Sequence, residues 1–488
     1  MSHLTIPAGQ GPAGDTTHAE HSGTPYGDSA RSSDVHVFEG PRLLRDLADG
    51  PGLGMHRRRA PRALAVPPRS QHVGALADLL EAVDLRGRGG AAFPLARKVR
   101  TATKAKGRPV VVVNAAEGEP ASSKDSVLML LKPHLVLDGA QAVAHALGAS
   151  AVHVVVPGER PAVERAARTA LAERADTGDI TMTVHRAECR FVAGESSAVL
   201  ELLAGRPNLP VTTQRPSAVS GLGGRPTVLS NAETFAQAAL VVRDGVDAYC
   251  AAGTHAEPGT RLLTIDGDGE RPTVLEVAHG TPLAPILAAV DADADTGLLL
   301  GGYHGTWLAG DVVAGLTVSA TAITAAGAAI GAGVLLPLRA GACPVRRTAV
   351  IVGYLAGESA NRCGPCRFGL PALAEALREV AFGTVSSTAR LEQLATTVEG
   401  RGSCHHPDGT TRSIRSLLRV FPEEVDAHLS GSCAAGDLVG TRTLVAGTLG
   451  TGTLVAGTLV AGTLGTQTFD TRAFGIGTVG AGAMAGVR

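Results

Sequence analysis

The stretch RPVVVVNAAEGEP, Arg108 to Pro120, carries four consecutive valines, Val110 to Val113, and then breaks into Asn-Ala-Ala. A short β-branched run with no polar alternation suits a strand covered on both faces, as in a parallel sheet. Two further runs have the same character. AVHVVVPGE (Ala151 to Glu159) leads into the helical PAVERAARTALAER, and ITMTVHRAE spans Ile180 to Glu188. Strands alternating with helices predict an open α/β sheet. In such sheets ligands sit where the strands end, so the loop NAAEGEPASSKD (Asn114 to Asp125) becomes a candidate site.

The rest of the chain frames this core. Of 488 residues, 44% are hydrophobic but only 3% aromatic, so Ala, Gly, Val and Leu carry the packing. Lys and Arg number 44 against 45 Asp and Glu, a balance without the electrostatic footprint of a nucleic-acid or anionic-membrane binder. Seven cysteines in so long a chain are not a disulfide framework. The polar N-terminus has no signal-peptide core, so a reducing cytoplasm is expected, where C-x₂-C means metal or redox chemistry. The uncharged stretches between Asp311 and Arg339 and between Arg442 and Asp470 are rich in Gly, Ala and Thr rather than Leu, Ile and Phe; neither is expected to span a membrane.

Five regions are expected. Residues 1–36, polar and poor in apolar positions, read as a disordered tail. Residues 37–245 form the α/β domain. Residues 246–338, with a Gly-Asp-Gly turn inside TRLLTIDGDGERPTVLEVAHGTPLAPILAAV, form a small α+β module built on a hairpin. Residues 339–433 form a helical domain. Residues 434–488 form a low-complexity tail in which Thr443, Thr448, Thr453, Thr458 and Thr463 recur, each followed by Leu.

Several stretches carry chemistry. GRGGAAFP (Gly87 to Pro94) clusters glycines whose backbone amides can approach a phosphate at the start of a helix. FVAGESSAVLELLAG (Phe191 to Gly205) predicts a helix capped by Ser196 or Ser197, and GGRPTVLSNAET (Gly223 to Thr234) ends in a second asparagine loop. In ESANRCGPCRFG (Glu358 to Gly369), Cys363 and Cys366 form a C-x₂-C pair, with Cys404 of GRGSCHHPDG as a third thiolate. Three thiolates fit an iron–sulfur cluster; zinc completed by His405 or His406, or no metal, are the alternatives. Cys189, Cys250 and Cys343 read as packing residues and Cys433 as exposed.

In chain order, LRGRGGAAFPLARK, NAAEGEPASSKD, VAGESSAVLELLAG, SGLGGRPTVLSNAETFA, GERPTVLEVAHGTPL, GGYHGTWL and ESANRCGPCRFG resemble the NADH-binding flavoprotein subunit of respiratory complex I, a family with relatives in soluble hydrogenases and formate dehydrogenases. The likeness runs from about Leu43 to Cys433 and suggests a divergent, actinobacterial-type paralogue. It implies an FMN-binding Rossmann-like domain, an SLBB ubiquitin-like module and a helical bundle holding an iron–sulfur cluster. It also implies electron transfer from NADH, or another two-electron donor, through FMN to an iron–sulfur partner such as a ferredoxin or a complex I-type subunit. A non-catalytic binding or assembly module is the alternative. Carried over by position, the FMN set is Gly87, Arg88, Gly89, Gly90, Lys98, Asn114, Glu117, Gly194, Glu195, Asn231 and Thr234, with Arg88 and Lys98 toward phosphate. Phe93 and Glu119 stand on the nicotinamide side, and Cys363, Cys366 and Cys404 on the cluster, 4Fe–4S or 3Fe–4S. Two departures stand out. The family's first cluster cysteine falls on Ala360, with Asn361, His405 and His406 as substitutes. Nicotinamide-side positions fall on Ala116, Ser196, Thr213, Pro216 and Ser230, so flavin contacts are better kept than NADH contacts.

Overall fold

The valine run is the inner strand of a four-stranded parallel sheet. Val110–Asn114 lies between Ala151–Val156 and Thr227–Asn231, and Thr181–Arg186 adds an edge beyond Ala151–Val156. Val110 to Val113 are fully buried, as a strand covered on both faces requires. The chain builds outward from this strand in one direction, then returns to pair Thr227–Asn231 on its other side. The order therefore reverses between Val110–Asn114 and Thr227–Asn231, and that reversal opens a crevice at the strand ends. Helices Pro133–Leu147 and Ala232–Asp244 pack together against the sheet within one large core. This computed structural model describes residues 3–6, 35–59, 72–175, 177–213, 215–266, 272–292 and 295–435.

The second sheet has seven strands, in the order His3–Ile6, Val35–Phe38, Thr273–Ala278, Thr260–Ile265, Val334–Pro337, Leu298–Leu300, Thr306–Leu308. Thr260–Ile265 and Thr273–Ala278 form the expected antiparallel hairpin, and Val334–Pro337 returns parallel to Thr260–Ile265. With helix Leu283–Ala288 against it, this is the β-grasp arrangement expected of the SLBB module. One expectation needs correction. His3–Ile6 pairs antiparallel with Val35–Phe38, which runs parallel to Thr273–Ala278, so both ends of the expected disordered segment join the β-grasp sheet. The reason is local: Val35 and Val37 alternate with His36 and Phe38, a half-buried strand pattern too short to stand out in a polar segment. Residues 7–34 lie outside the described set.

The helical domain contains Pro344–Gly357, Leu370–Ala381, Ala389–Val398, His406–Val420 and Pro422–Leu429. Pro422 separates the last two within the continuous helical pattern RSIRSLLRVFPEEVDAHL, because the residue before a proline avoids the helical region, and Phe421 sits outside it at φ −124°, ψ 51°. The expected 338/339 boundary does not divide the packing. Leu299, Tyr303 and Trp307 of the β-grasp module belong to the helical core, with Trp307 donating from Nε1 to Thr348 Oγ1 at 2.9 Å.

The stretch between Asp311 and Arg339 folds into this module rather than a span. Among the described residues no single helix is long and apolar enough to cross a membrane. Lys124–Leu131 and Pro133–Leu147 pass by length and composition only as a pair bent by 95°, and both are core helices of the α/β domain. The 442–470 stretch and its threonine repeat lie outside the described residues.

Candidate functional site

Asn114 and Asn231 end the two strands that flank the crevice and stand directly opposite each other in the register. Asn231 Nδ2 donates to Asn114 O at 3.3 Å, and Asn114 Nδ2 donates to Gly194 O at 2.8 Å. The glycine loop lies over the same point. Arg88 N donates to Thr234 Oγ1 at 2.9 Å, and a Cβ at Gly89 would stand 3.3 Å from Asn231 Cβ. Gly90 has φ +113° and open space where its side chain would be. The loop thus presses on Asn231 on one side and leaves its other side clear. Lys98 follows on helix Leu95–Lys104, its Nζ donating to Leu229 O at 2.8 Å, with burial lowering its pKa. Phe93, 42% exposed, has Arg97 Cζ at 5.2 Å and Lys98 Nζ at 6.0 Å from its ring centre. A glycine cradle, two cations and two asparagines at a switch point fit the phosphate and polar edge of a flavin mononucleotide.

Beneath this lies a buried ionic network that residue-by-residue reasoning missed. Lys124 Nζ is 2.9 Å from Asp125 Oδ1, 2.7 Å from Asn231 Oδ1 and 3.1 Å from Glu233 Oε2. Burial opposes the lysine's charge, but the carboxylates of Asp125 and Glu233 outweigh it and raise its pKa. Burial also raises Asp125, against the pull of Lys124. The signal was present as the Lys-Asp ending of the first asparagine loop and the Glu following the second; their meeting needs the fold. Removing one partner would strand the others at a cost of about 3–5 kcal/mol.

Four expected ligands are corrected. The guanidinium of Arg88 is turned inward: Nη2 donates to Thr260 O at 3.2 Å and Nε is 4.0 Å from Glu233, so it holds the β-grasp module rather than facing a phosphate. Glu117, with φ +45°, spends its carboxylate on the start of helix Lys124–Leu131. It accepts from Asp125 N at 2.9 Å, Ser126 N at 3.0 Å and Arg160 Nη1 at 2.8 Å. Glu119 reaches the β-grasp turn, accepting from Tyr303 N at 2.9 Å; burial pushes its pKa up to about 7, with nearby Asp266 adding to the rise and the N–H donors of Tyr303 and Ala121 opposing it. A Cβ at Gly302 would lie 2.4 Å from Glu119 Oε2, so this contact requires a glycine there. Glu195, not a serine, caps helix Ser196–Leu203, accepting from Ser197 N at 2.7 Å and Ala198 N at 3.2 Å. Serine lost the position because Ser196 is already the first helical residue.

The cysteine loop meets the α/β domain here. Phe191 N donates to Glu358 Oε2 at 2.9 Å, and the Phe191 ring sits among Tyr303, His304, Tyr354 and His406, where all three domains converge. Cys363, Cys366 and Cys404 lie close enough for their charges to act on one another. Cys366 is buried at the start of a π-helical turn, Pro365–Gly369, and its pKa is pushed up to about 12 by burial and then by Cys363 and Cys404. Ala360 adjoins the thiol set, its backbone N–H opposing the rise at Cys366, but it has no ligand atom of its own. Three soft thiols sharing one loop cluster suit iron–sulfur binding. His406 is not a fourth ligand: Nε2 contacts Leu355 O at 2.8 Å, Nδ1 contacts His304 Nε2 at 3.1 Å, and burial lowers its pKa to about 4. His405 is fully exposed near Asp408, and Asn361, at φ +54°, accepts from Ser359 Oγ. Cys189 and Cys250 are exposed, not packed, and Cys433 is half-buried.

A switch-point cradle joined to a cysteine-bearing bundle defines a flavin and iron–sulfur electron-transfer protein. Residues 80–240 match the family model Nuo51 FMN-binding domain, and residues 347–428 match the NADH-ubiquinone oxidoreductase-F iron-sulfur binding region. The chain is 29% identical over 416 residues to the second NADH-quinone oxidoreductase-F protein of Rhizobium meliloti, covering 80% of this chain and 98% of that one. It is 30% identical over 369 residues to the NADH-quinone oxidoreductase-F protein of Streptomyces coelicolor, covering 71% and 81%. A solved NAD+-reducing NiFe-hydrogenase in the H2-reduced state superposes with a TM-score of 0.70 at 25% identity, covering 80% of this chain and 67% of that one. The chain belongs to the NADH-quinone oxidoreductase-F family.

Proposed function

We propose that this chain oxidises NADH and passes the electrons through FMN and an iron–sulfur cluster to an iron–sulfur partner, a ferredoxin or a complex I-type subunit. The observation that carries the reading is the meeting of the glycine loop with Asn114 and Asn231 at the sheet's switch point. FMN, when bound, supplies conversion of a two-electron donor into single electrons, and the cluster supplies a one-electron carrier. The chain's own residues position and shield. The backbone of Gly87 to Gly90 and the Lys98 ammonium would hold the phosphate, and Asn114, Gly194 and Asn231 the polar ring edge. Phe93, exposed beside Arg97, would stack on the nicotinamide half of a dinucleotide while the Arg97 guanidinium faces its diphosphate. Thr234 holds the loop's backbone, and Glu117, Glu119, Glu195 and Arg88 fix the surrounding segments. Cys363, Cys366 and Cys404 would hold the cluster, leaving one iron without a thiolate at Ala360. The reading makes the protein cytoplasmic, where NADH is available.

Protein reconstituted with FMN and iron, mixed with NADH without oxygen, should lose its flavin absorbance. Phe93→Ala should raise the KM for NADH about 10-fold with kcat little changed, because it removes ground-state grip. A flavin that dithionite bleaches and NADH does not would overturn the donor assignment.

A further inference from the structure

Cys343 was expected to be a packing residue, yet its thiol faces three other ligand-type groups. Its Sγ is 3.2 Å from His428 Nε2 and 3.5 Å from Glu424 Oε1, and those two are 3.2 Å apart. Cys433 completes the set, all four ligand atoms lying within 4.8 Å of one another. A zinc ion with Zn–S of about 2.3 Å and Zn–N or Zn–O of about 2.0–2.2 Å spans a tetrahedron with edges of about 3.3–3.8 Å. The three separations match those edges to within a few tenths of an ångström. The grouping is too tight for an iron–sulfur cubane, and it lies apart from Cys363, Cys366 and Cys404.

We propose that Cys343, Glu424, His428 and Cys433 form a closed structural zinc site. The support around the ligands is that of a metal centre. His428 Nδ1 contacts Ala381 O at 2.8 Å, so the ring proton goes to that carbonyl and the Nε2 lone pair faces the other ligands. Cys343 Sγ accepts from Arg346 N at 3.4 Å, a donor suited to a thiolate at the start of helix Pro344–Gly357. Glu424 and His428 lie one helical turn apart on Pro422–Leu429 and present both groups on one face. A metal entering the site would displace the thiol protons, and one divalent ion would then bring two thiolates and a carboxylate from −3 to −1, with the Arg346 guanidinium acting on the same site. Two cysteines, a histidine and a carboxylate in a closed tetrahedral set select zinc over magnesium or calcium, which prefer all-oxygen ligands. Two of the ligands sit at the ends of the bundle: Cys343 caps its first helix and Cys433 follows its last described helix. The ion would tie those ends together, a role separate from electron transfer.

Zinc and iron are to be counted in full-length protein produced in zinc-supplemented medium and passed through gel filtration. The wild type should retain about one zinc per chain. Cys433→Ser and Glu424→Gln, both at half-buried ligands, should each lose at least 80% of it while iron and flavin contents stay at wild-type levels. Cys363→Ser should keep its zinc, which separates this site from zinc misloaded at the iron–sulfur cysteines. The proposal is overturned by wild-type protein without zinc, by zinc lost in Cys363→Ser but kept in Cys433→Ser, or by a Cys343–Cys433 disulfide in the mass-mapped wild type.

Discussion

The flavin crevice and the cysteine loop are both built at chain turns, but they are tied to the fold in different ways. In the crevice the same side chains serve the site and the core. Asn231 bonds Lys124 and Asp125, the Asp125 backbone bonds Glu117, and Glu117 bonds Arg160. The cysteine loop is held by side chains other than its candidate ligands: Glu358 Oε2 accepts from Phe191 N, and Ser359 Oγ donates to Asn361 Oδ1 and to the Cys366 carbonyl. A candidate ligand can therefore be replaced with the loop's anchors unchanged, and Ala360 stands where the resemblance would place a further thiolate. Losing a member of the crevice network would instead expose buried charges to one another. Sites wired into a core resist erosion one residue at a time; sites whose loop is anchored by other side chains do not.

If the two regions are independent, one lesion in each should separate their cofactors. Cys366→Ser removes the buried thiol and should abolish the cluster's iron while flavin is retained. Gly89→Val should do the reverse, since even a Cβ there meets Asn231 at 3.3 Å. Flavin affinity should fall at least ~100-fold, about 2.7 kcal/mol, with iron unchanged. Cofactor analysis of both proteins checks this, and loss of both cofactors in either one would break the comparison.

A smaller effect is expected from repairing the loop. Ala360→Cys should add the missing thiolate, so that iron lost from the wild-type cluster during mild oxidation is retained. Electron paramagnetic resonance should show a three-iron signal in oxidised wild type that fades in the variant. Equal signals would mean that position 360 does not face the cluster.

The smallest effect concerns Glu119, which joins the crevice loop to the β-grasp turn. Its folded pKa of about 7 exceeds the ordinary glutamate value of 4.5, so the folded state binds this proton more tightly than the unfolded chain. Its contribution is complete below about pH 4.5, falls as pH rises through about 7, and is flat above; the span is roughly 1–3 kcal/mol. Glu119→Gln keeps an acceptor for Tyr303 N–H but cannot titrate. Urea midpoints across this pH window should therefore decline less in the variant than in the wild type.

The parts of this molecule legible in the sequence were those set by local pattern. Val110 to Val113 announced a doubly covered strand, and Asn114 could be placed at its end because the β-branched run stopped there, whereas Asn231 could be read only as part of a loop. The hairpin and the bundle helices followed from period and turn residues. What could not be read was the direction in which polar side chains turn. Arg88, Glu117, Glu119 and Glu195 look like ligands by type and place, but each is satisfied by backbone donors or acceptors that only folding brings close. Cys343 and His428 were equally hidden, because their meeting depends on how the first and last described helices of the bundle pack.

The inward turn of Arg88 reaches beyond its own loop. The segment that would cradle the flavin phosphate is fastened to Thr260, in another sheet, and the next loop is fastened to Tyr303 through Glu119. The α/β domain and the β-grasp module are therefore not interchangeable cassettes. A chimera that grafts this glycine loop onto a foreign neighbour would carry the right letters in the wrong mould. The piece that could be moved intact into another protein is the joined pair.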